Sequence, residues 1–363
     1  MAEASPPAGF RPSFSNCQDG VTDLCPVEAT IYGSYLSIPG NAVLVAVFSI
    51  CTLFQIGTAI HTRTRTYSYS ICLLIGTLLE LLGYTGRLLL HQDPWNFAAF
   101  AMQMCSLIVG PAFIAAAMSV TFKHLVIYTG ARHSLLKPRL YPWIFVGTDF
   151  ASIAVQGLGG GIASAGSSDD GGDTSLLDIG DSLLLAGVAF QVANMVACGL
   201  LMLWFVWRYK RAQKATTTAT TTPAPAPENE DTDYAADRHA RPATAQGHFR
   251  AFCYALVAAY LAVLARCIYR LPEFASGWGS ELQQNETTFL ILDGAMIAAA
   301  VLVLTVARPG WLFPAMERYS RSKKTRAREA AEKEREREKG KADDAVGGEE
   351  LRRDEGRGVG AAV

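Results

Sequence analysis

The signatures of soluble catalysis are missing from these 363 residues. There is no HExxH, GxxxxGKS/T, GxSxG or CxxC motif, so the zincin helix, the nucleotide-cradling loop, the nucleophile elbow and the dithiol redox pair all drop out. Histidine is scarce. His61, His91, His124, His133, His239 and His248 all lie outside the cores of the long apolar runs, which argues against a metal centre there. The expectation is a protein that is not an enzyme, with no cofactor, no resident metal and no nucleic-acid partner. Without an ATP site, any transport has to be downhill or coupled to something else.

Charge is also sparse, at 18% of residues against 50% hydrophobic, and the mean hydropathy is +0.19. The apolar residues are bunched into runs of about twenty, the length a helix needs to cross a hydrocarbon core of roughly 30 Å. The runs are residues 39–60, 69–90, 98–122, 143–165, 182–207, 250–268 and 287–307. The fold class expected is an all-α membrane protein, a bundle of seven transmembrane helices. No cleavable signal peptide is expected ahead of them, because the first run begins only after a polar stretch with Pro6, Pro7 and Pro12. The first span is then expected to act as its own signal.

Lysine and arginine are absent from alternate connections. Residues 91–97 have neither, and residues 166–181 have neither but carry Asp169, Asp170, Asp173, Asp178 and Asp181. The other connections hold Arg63 and Arg65, then Lys123, Arg132, Lys137 and Arg139, then Arg208, Lys210, Arg211 and Lys214. By the positive-inside rule the N-terminus is outside and the C-terminus cytoplasmic. A six-span reading with one long buried helix breaks this alternation.

Three regions follow: an extracellular arm over residues 1–38, a transmembrane domain over 39–310, and a charged cytoplasmic tail over 311–363. A Thr/Ala/Pro tract, 212–248, has almost no large apolar residue and reads as a disordered cytoplasmic linker. The tail opens with Arg318, Arg321, Lys323, Lys324, Arg326 and Arg328, a cluster able to lie on anionic lipid or to form a solvated charged helix. Linker and tail also offer surfaces to cytoplasmic partners. Six cysteines sit in the spans as small apolar fillers, whereas Cys17 and Cys25 lie in the arm, where a disulfide could persist. Asn285-Glu286-Thr287 is a glycosylation sequon abutting the last span.

The charges inside the spans matter most, since each costs at least about 2.5 kcal/mol if it faces lipid. In the second span Glu80, Tyr84 and Arg87 share one helical face, with Gly83 and Gly86 open to a neighbouring helix. Glu80 and Arg87 are about 10 Å apart by helix rise, so each needs a partner elsewhere. The sixth span offers Arg266 and Arg270, then Pro272, expected to end the helix, and Glu273; the seventh offers Glu286 and Asp293. The bland reading is an ion-pair network that fixes helix register and handles no ligand. Asp149, Ser152 and Gln156 share a face of the fourth span, before Gly157, Gly159, Gly160 and Gly161, where close packing, a kink or an unwound stretch would each fit. Pro111 is a kink site in the third span, and Gln103, Gln191 and Asn194 extend the polar set.

These strings resemble a family. ELLGYTGR, Gln103 with GPAFIAAA, DFASIAVQGLGGG, Gly180 with Gly187 and Gln191, RCIYRLPEFASGWGS and Glu286 to Asp293 occur in order over most of residues 35–310 and are similar to the fungal RTA-like family of lipid-translocating exporters. Departures fall at Ser119, at Lys123-His124, at Phe289 and at Arg308. The resemblance implies a seven-span fungal membrane protein that exports or flips sphingoid long-chain bases or confers resistance to toxic amphiphiles, with porphyrin uptake in one branch. Membrane lipids and amphipathic small molecules are then the partners, and the plasma membrane or an internal one the location. The residues expected at the substrate are Glu80, Asp293 and Glu286 toward an amine or hydroxyl, Arg87, Arg266 and Arg270 holding those acids or meeting a phosphate, and Tyr84, Gln103, Asp149, Gln156 and Gln191 along the path.

A seven-helix receptor or lipid sensor is the alternative, although the chain has no DRY-like or NPxxY motif. A retinal pump lacks its lysine in the last span, and a membrane hydrolase lacks an assembled acid, base or metal pattern. With the orientation above, the charges of spans two, six and seven gather in the outer half, apart from the inner acid Asp149. That favours a site open to the outer leaflet over a through-going pore.

Overall fold

The computed structural model describes residues 12–61 except 15 and 19, 67–129, 140–166, 174–218, 243–313 except 278, and the single positions 316, 332, 334 and 335. The middle of the expected linker, residues 219–242, and the basic cluster of the tail lie outside the described residues. The long elements are α1 (Ile38–His61), α2 (Tyr67–Gln92), α3 (Phe97–Thr129), α4 (Leu140–Gly166), α5 (Thr174–Thr218), α6 (Ala243–Ala275) and α7 (Glu286–Val306). A short turn, α8 (Pro309–Leu312), follows.

Six of these helices, all but α4, are both long and apolar enough to cross a membrane. α4 spans 27 residues, about 40 Å at 1.5 Å per residue, but Asp149, Gln156 and its glycines dilute its hydropathy. The helices follow the expected runs and overshoot several of them. α5 continues to Thr218 and α6 begins at Ala243, so both enter the segment expected to be linker. Residues such as Arg211, Ala212, Gln213 and Lys214 are good helix formers that extend a helix already nucleated in the bundle. Pro272 does not end α6, which runs to Ala275. Proline near a C-terminus removes one backbone hydrogen bond, and Ser276 N–H still donates to the Pro272 carbonyl.

α3 is the central helix. Its small residues Gly110, Ala112, Ala115, Ala116 and Ala117 are buried, and α2 packs along it closely. Gly86 makes that approach possible, since a Cβ there would lie 3.0 Å from the Ala99 carbonyl oxygen. α4 and α5 form a second tight pair, where a Cβ on Gly180 would come within 2.5 Å of Ala163 N. Of the readings open for the glycine run in α4, the helix is continuous and its Gly159 packs against the α5 backbone. α1 buries Leu44, Phe48, Cys51 and Gln55 at helical spacing, while Val43, Ile50, Leu53 and Ile60 face outward, as a lipid-facing surface requires.

The N-terminal arm folds over the α2–α3 connection. Cys17 and Cys25 are joined by a disulfide with Cα atoms 5.8 Å apart, and the indole N–H of Trp95 donates to the Cys25 carbonyl at 3.1 Å. Phe14 stacks on Phe100 with centroids 5.0 Å apart, and His91 Nδ1 donates to the Leu36 carbonyl at 2.6 Å.

Candidate functional site

Near the arm side of the bundle, α6 carries Arg266, Arg270 and Glu273 at intervals of four and three, on one face. Each is buried, and each meets a charge of opposite sign. Arg266 Nη1 donates to Glu80 Oε1 of α2 at 3.1 Å, and its Nε lies 3.1 Å from Asp293 Oδ1 of α7. Arg270 Nε lies 2.9 Å from the same Oδ1 and 3.6 Å from Glu273 Oε2. The five groups form an alternating row: Glu80, Arg266, Asp293, Arg270, Glu273. Tyr84 donates its hydroxyl to Asp293 Oδ2 at 3.2 Å, and Arg266 Nη2 donates to the Leu107 carbonyl of α3 at 2.6 Å.

Asp293 owes its position to a local irregularity. Residues Leu290–Ala295 form a π turn within α7, and Asp293 lies inside it. Residues seven apart in a helix are about 10 Å apart along it, and the two acids meet different partners. Glu286 accepts from Ser37 N–H at 2.7 Å and Asn41 Nδ2 at 2.9 Å, and Arg87 Nη2 stands 3.5 Å from it. Arg87 Nε donates to Asn41 Oδ1 at 2.9 Å, and its guanidinium lies 4.1 Å from the Phe289 ring centroid, a cation–π contact.

Two small clefts open beside the row. One is lined by Gln156 of α4, Gln191 of α5, Pro111 of α3, and Arg266, Arg270 and Phe274 of α6, with space for about two waters at roughly 10–15 Å³ each. The other, toward the arm, is lined by Asp181, Leu184, Glu273, Phe274, Gly277 and Gln283. Phe274 borders both. Gln156 Nε2 donates to Gln191 Oε1 at 3.0 Å, tying α4 to α5 across the first cleft. Among the described residues, several buried polar atoms have no hydrogen-bond partner: Glu80 Oε2, Glu273 Oε2, Arg270 Nη2 and Gln103 Oε1. Burying such groups unpaired is costly, and an open valence beside a cleft is what a ligand can fill.

Of the expected site residues, Glu80, Tyr84, Arg266, Arg270 and Asp293 come together in the row. Arg87 and Glu286 form a separate pair with Asn41, and Gln103 donates to the Tyr32 hydroxyl at 2.7 Å. Gln156 and Gln191 line the first cleft. Asp149 stands apart, accepting from Asn194 Nδ2 at 2.7 Å, and lines neither cleft. Sequence reasoning passed over Asn41, Tyr32 and the cleft position of Glu273. Asn41 gives no charge signal, and Tyr32 sits in the arm before the first span; Glu273 was visible as a charge, but its cleft belongs to tertiary packing. Asn285, the sequon residue, is exposed and caps α7, accepting from Thr288 N–H at 3.1 Å. Among the described residues, no group of three or more His, Cys, Asp or Glu is placed to hold a metal ion.

Residues 73–316, which include the whole row, match the family described as RTA1 like protein. The chain belongs to the RTA1-like family. Among its relatives is the Sphingoid long-chain base transporter RSB1 of Saccharomyces cerevisiae, 29% identical over 294 residues, covering 78% of this chain and 75% of the relative. Protein RTA1 of the same organism is 24% identical over 237 residues, 65% of this chain and 64% of that one. Protoporphyrin uptake protein 1 is 32% identical over 119 residues, 32% of this chain and 36% of that one. No solved structure gives a significant match. With its apolar helices, this RTA1-like chain is a multi-pass integral membrane protein.

Proposed function

We propose that this RTA1-like protein is a membrane transporter that translocates amphipathic lipids with a cationic headgroup, of which sphingoid long-chain bases are the leading class, and that it is not an enzyme. The observation that carries this reading is the alternating row of buried charges flanked by two clefts that share Phe274. A sphingoid base has an ammonium, hydroxyls and a long tail. Glu273 and Asp181 suit the ammonium, Gln156 and Gln191 suit the hydroxyls, and the apolar faces of α5 and α6 leave the tail in lipid. The name of the transporter relative supports the same class.

The proposal includes seven spans, with α4 as the seventh, an outside N-terminus and a plasma-membrane location. The absence of Lys and Arg from residues 91–97, and the disulfide-bonded arm above them, support that orientation. The clefts on the arm side then open toward the outer leaflet.

A flip assay in liposomes with a panel of labelled amphiphiles is the test. Purified protein should speed transbilayer movement of a labelled long-chain base, and Glu80→Gln or Asp293→Asn should remove most of that gain. A flat response across the panel, or full activity in both variants, would overturn the assignment.

A further inference from the structure

The row holds three carboxylates, Glu80, Asp293 and Glu273, but only two guanidiniums, Arg266 and Arg270. Arg87 and Glu286 offset each other and leave that difference unchanged. With every carboxyl ionised, the row is one positive charge short. An uncompensated charge in an apolar interior is neutralised by a proton or by a bound cation.

The three carboxyls are not equivalent. Asp293 has both oxygens engaged, by Arg266 and Arg270 on one and by Tyr84 on the other, so it is the ionised member. Glu80 is fully enclosed, and its Oε2 has no partner. Gly110 of α3 packs against its other oxygen, where an added Cβ would lie 2.8 Å from Oε1, and Glu80 lines neither cleft, so a proton rather than a ligand is what can neutralise it. Glu273 is the opposite case: its Oε2 is buried and also lacks a hydrogen-bond partner, but the residue lines the arm-side cleft, so an ammonium in that cleft lies against its carboxyl group.

We propose that the row carries one exchangeable positive charge: a proton on Glu80 when the clefts are empty, and the ammonium of a cationic amphiphile against Glu273 when one is bound. This rests on the translocase reading and adds its coupling. When the ammonium arrives, the Glu80 O–H breaks, the proton passes to water and the carboxylate stays on Arg266; the total charge of the row is the same before and after. Each amphiphile bound releases one proton, so a proton gradient becomes a driving force for its movement. The charged or titratable groups facing Glu80 are Arg266 and Arg270 from α6, Asp293 from α7 and Tyr84 on its own helix; α3 presents Gly110 and Leu107, which do not titrate. Those facing Glu273 are Arg266, Tyr269 and Arg270 on its own helix, Asp293, Arg87 and Tyr32, with Asp181 lining the same cleft.

The test is equilibrium binding to the detergent-purified full chain of a long-chain base labelled at the tail, from about pH 5 to 7.5, where a primary amine stays cationic. Wild-type Kd should weaken as pH falls, approaching tenfold per unit at the acid end, as competition by about one proton requires. Glu80→Gln should bind more weakly with no pH slope. The infrared difference spectrum of the wild type on adding the base should show loss of a protonated-carboxyl band, which needs no variant to fold. A flat wild-type Kd, an undiminished slope in Glu80→Gln, or an unchanged carboxyl band would overturn the exchange. Lipid flipping with a flat Kd would sink the exchange and leave the translocase; proton-linked binding without flipping would do the reverse. No binding at any pH would sink both.

Discussion

Arg266 and Asp293 meet at 3.1 Å, joining the C-terminal third of one long helix to the wide π turn of another. Neither residue has a partner of opposite charge one helical turn away on its own helix, so the contact depends on how α6 and α7 pack. The same guanidinium also holds Glu80 and the Leu107 carbonyl, which makes Arg266 the link between four helices.

Removing that link should be costly. Arg266→Met leaves two buried carboxyls without their shared guanidinium, and losing one partner of a buried pair typically costs about 3–5 kcal/mol. Thermal unfolding in detergent should therefore begin well below wild type. The Glu80→Gln, Arg266→Met double variant removes acid and base together and should regain part of the loss; a double variant no better than the single one would refute the coupling.

The α4–α5 contact predicts a contrast between two glycines. An added methyl at Gly180 meets Ala163 Cβ at 2.7 Å, whereas one at Gly157 meets nothing within 4 Å. Gly180→Ala should force the helices apart at a cost of about 1–3 kcal/mol. Gly157→Ala should be neutral or stabilising by up to about 1 kcal/mol. Equal melting midpoints for the two would mean that the close contact is not formed.

The disulfide should act locally. Cys17→Ser with Cys25→Ser frees the arm and should weaken its docking by about 2–4 kcal/mol. Hydrogen exchange read by mass spectrometry should then quicken over residues 20–36 while α2 and α3 keep their protection. Unchanged exchange in the arm would show that Trp95, Phe14 and Phe100 hold it unaided.

The amide pair in the first cleft makes a functional prediction. Gln191→Leu removes the Gln156 hydrogen bond and one polar wall, and a contact of about 1 kcal/mol corresponds to roughly fivefold in rate. Flipping of a labelled base should fall by about that factor with melting unchanged. Asp149→Asn, remote from both clefts, should flip lipid near the wild-type rate. If Asp149→Asn lost more activity than Gln191→Leu, the path would run along the α4–α5 seam instead.

Much of the site could be read before any packing was known. Seven-residue spacing placed Glu80 and Arg87 on one face too far apart to pair, and each does take its partner from another helix. The presence of charge inside apolar runs marked spans two, six and seven because a bilayer penalises charge wherever it occurs in sequence. Pro272 misled, since one missing N–H near a helix end is cheaper than the rule for helix interiors suggests. Asn41 was invisible for the opposite reason: a neutral amide in an apolar run carries no penalty large enough to stand out. The π turn at Leu290–Ala295 left no mark in composition either.

The amino-acid sequence by itself determined where the long apolar helices lie and which residues would have to be buried polar ones, because the cost of placing a charge in hydrocarbon depends on local composition. Only the tertiary structure decided that three acids share two arginines, that Glu80 is sealed while Glu273 borders a cleft, and that Asp149 stands aside. Those outcomes turn on ångström-scale distances between helices, on a glycine that lets one backbone approach another and on one wide turn in α7, and composition does not contain them.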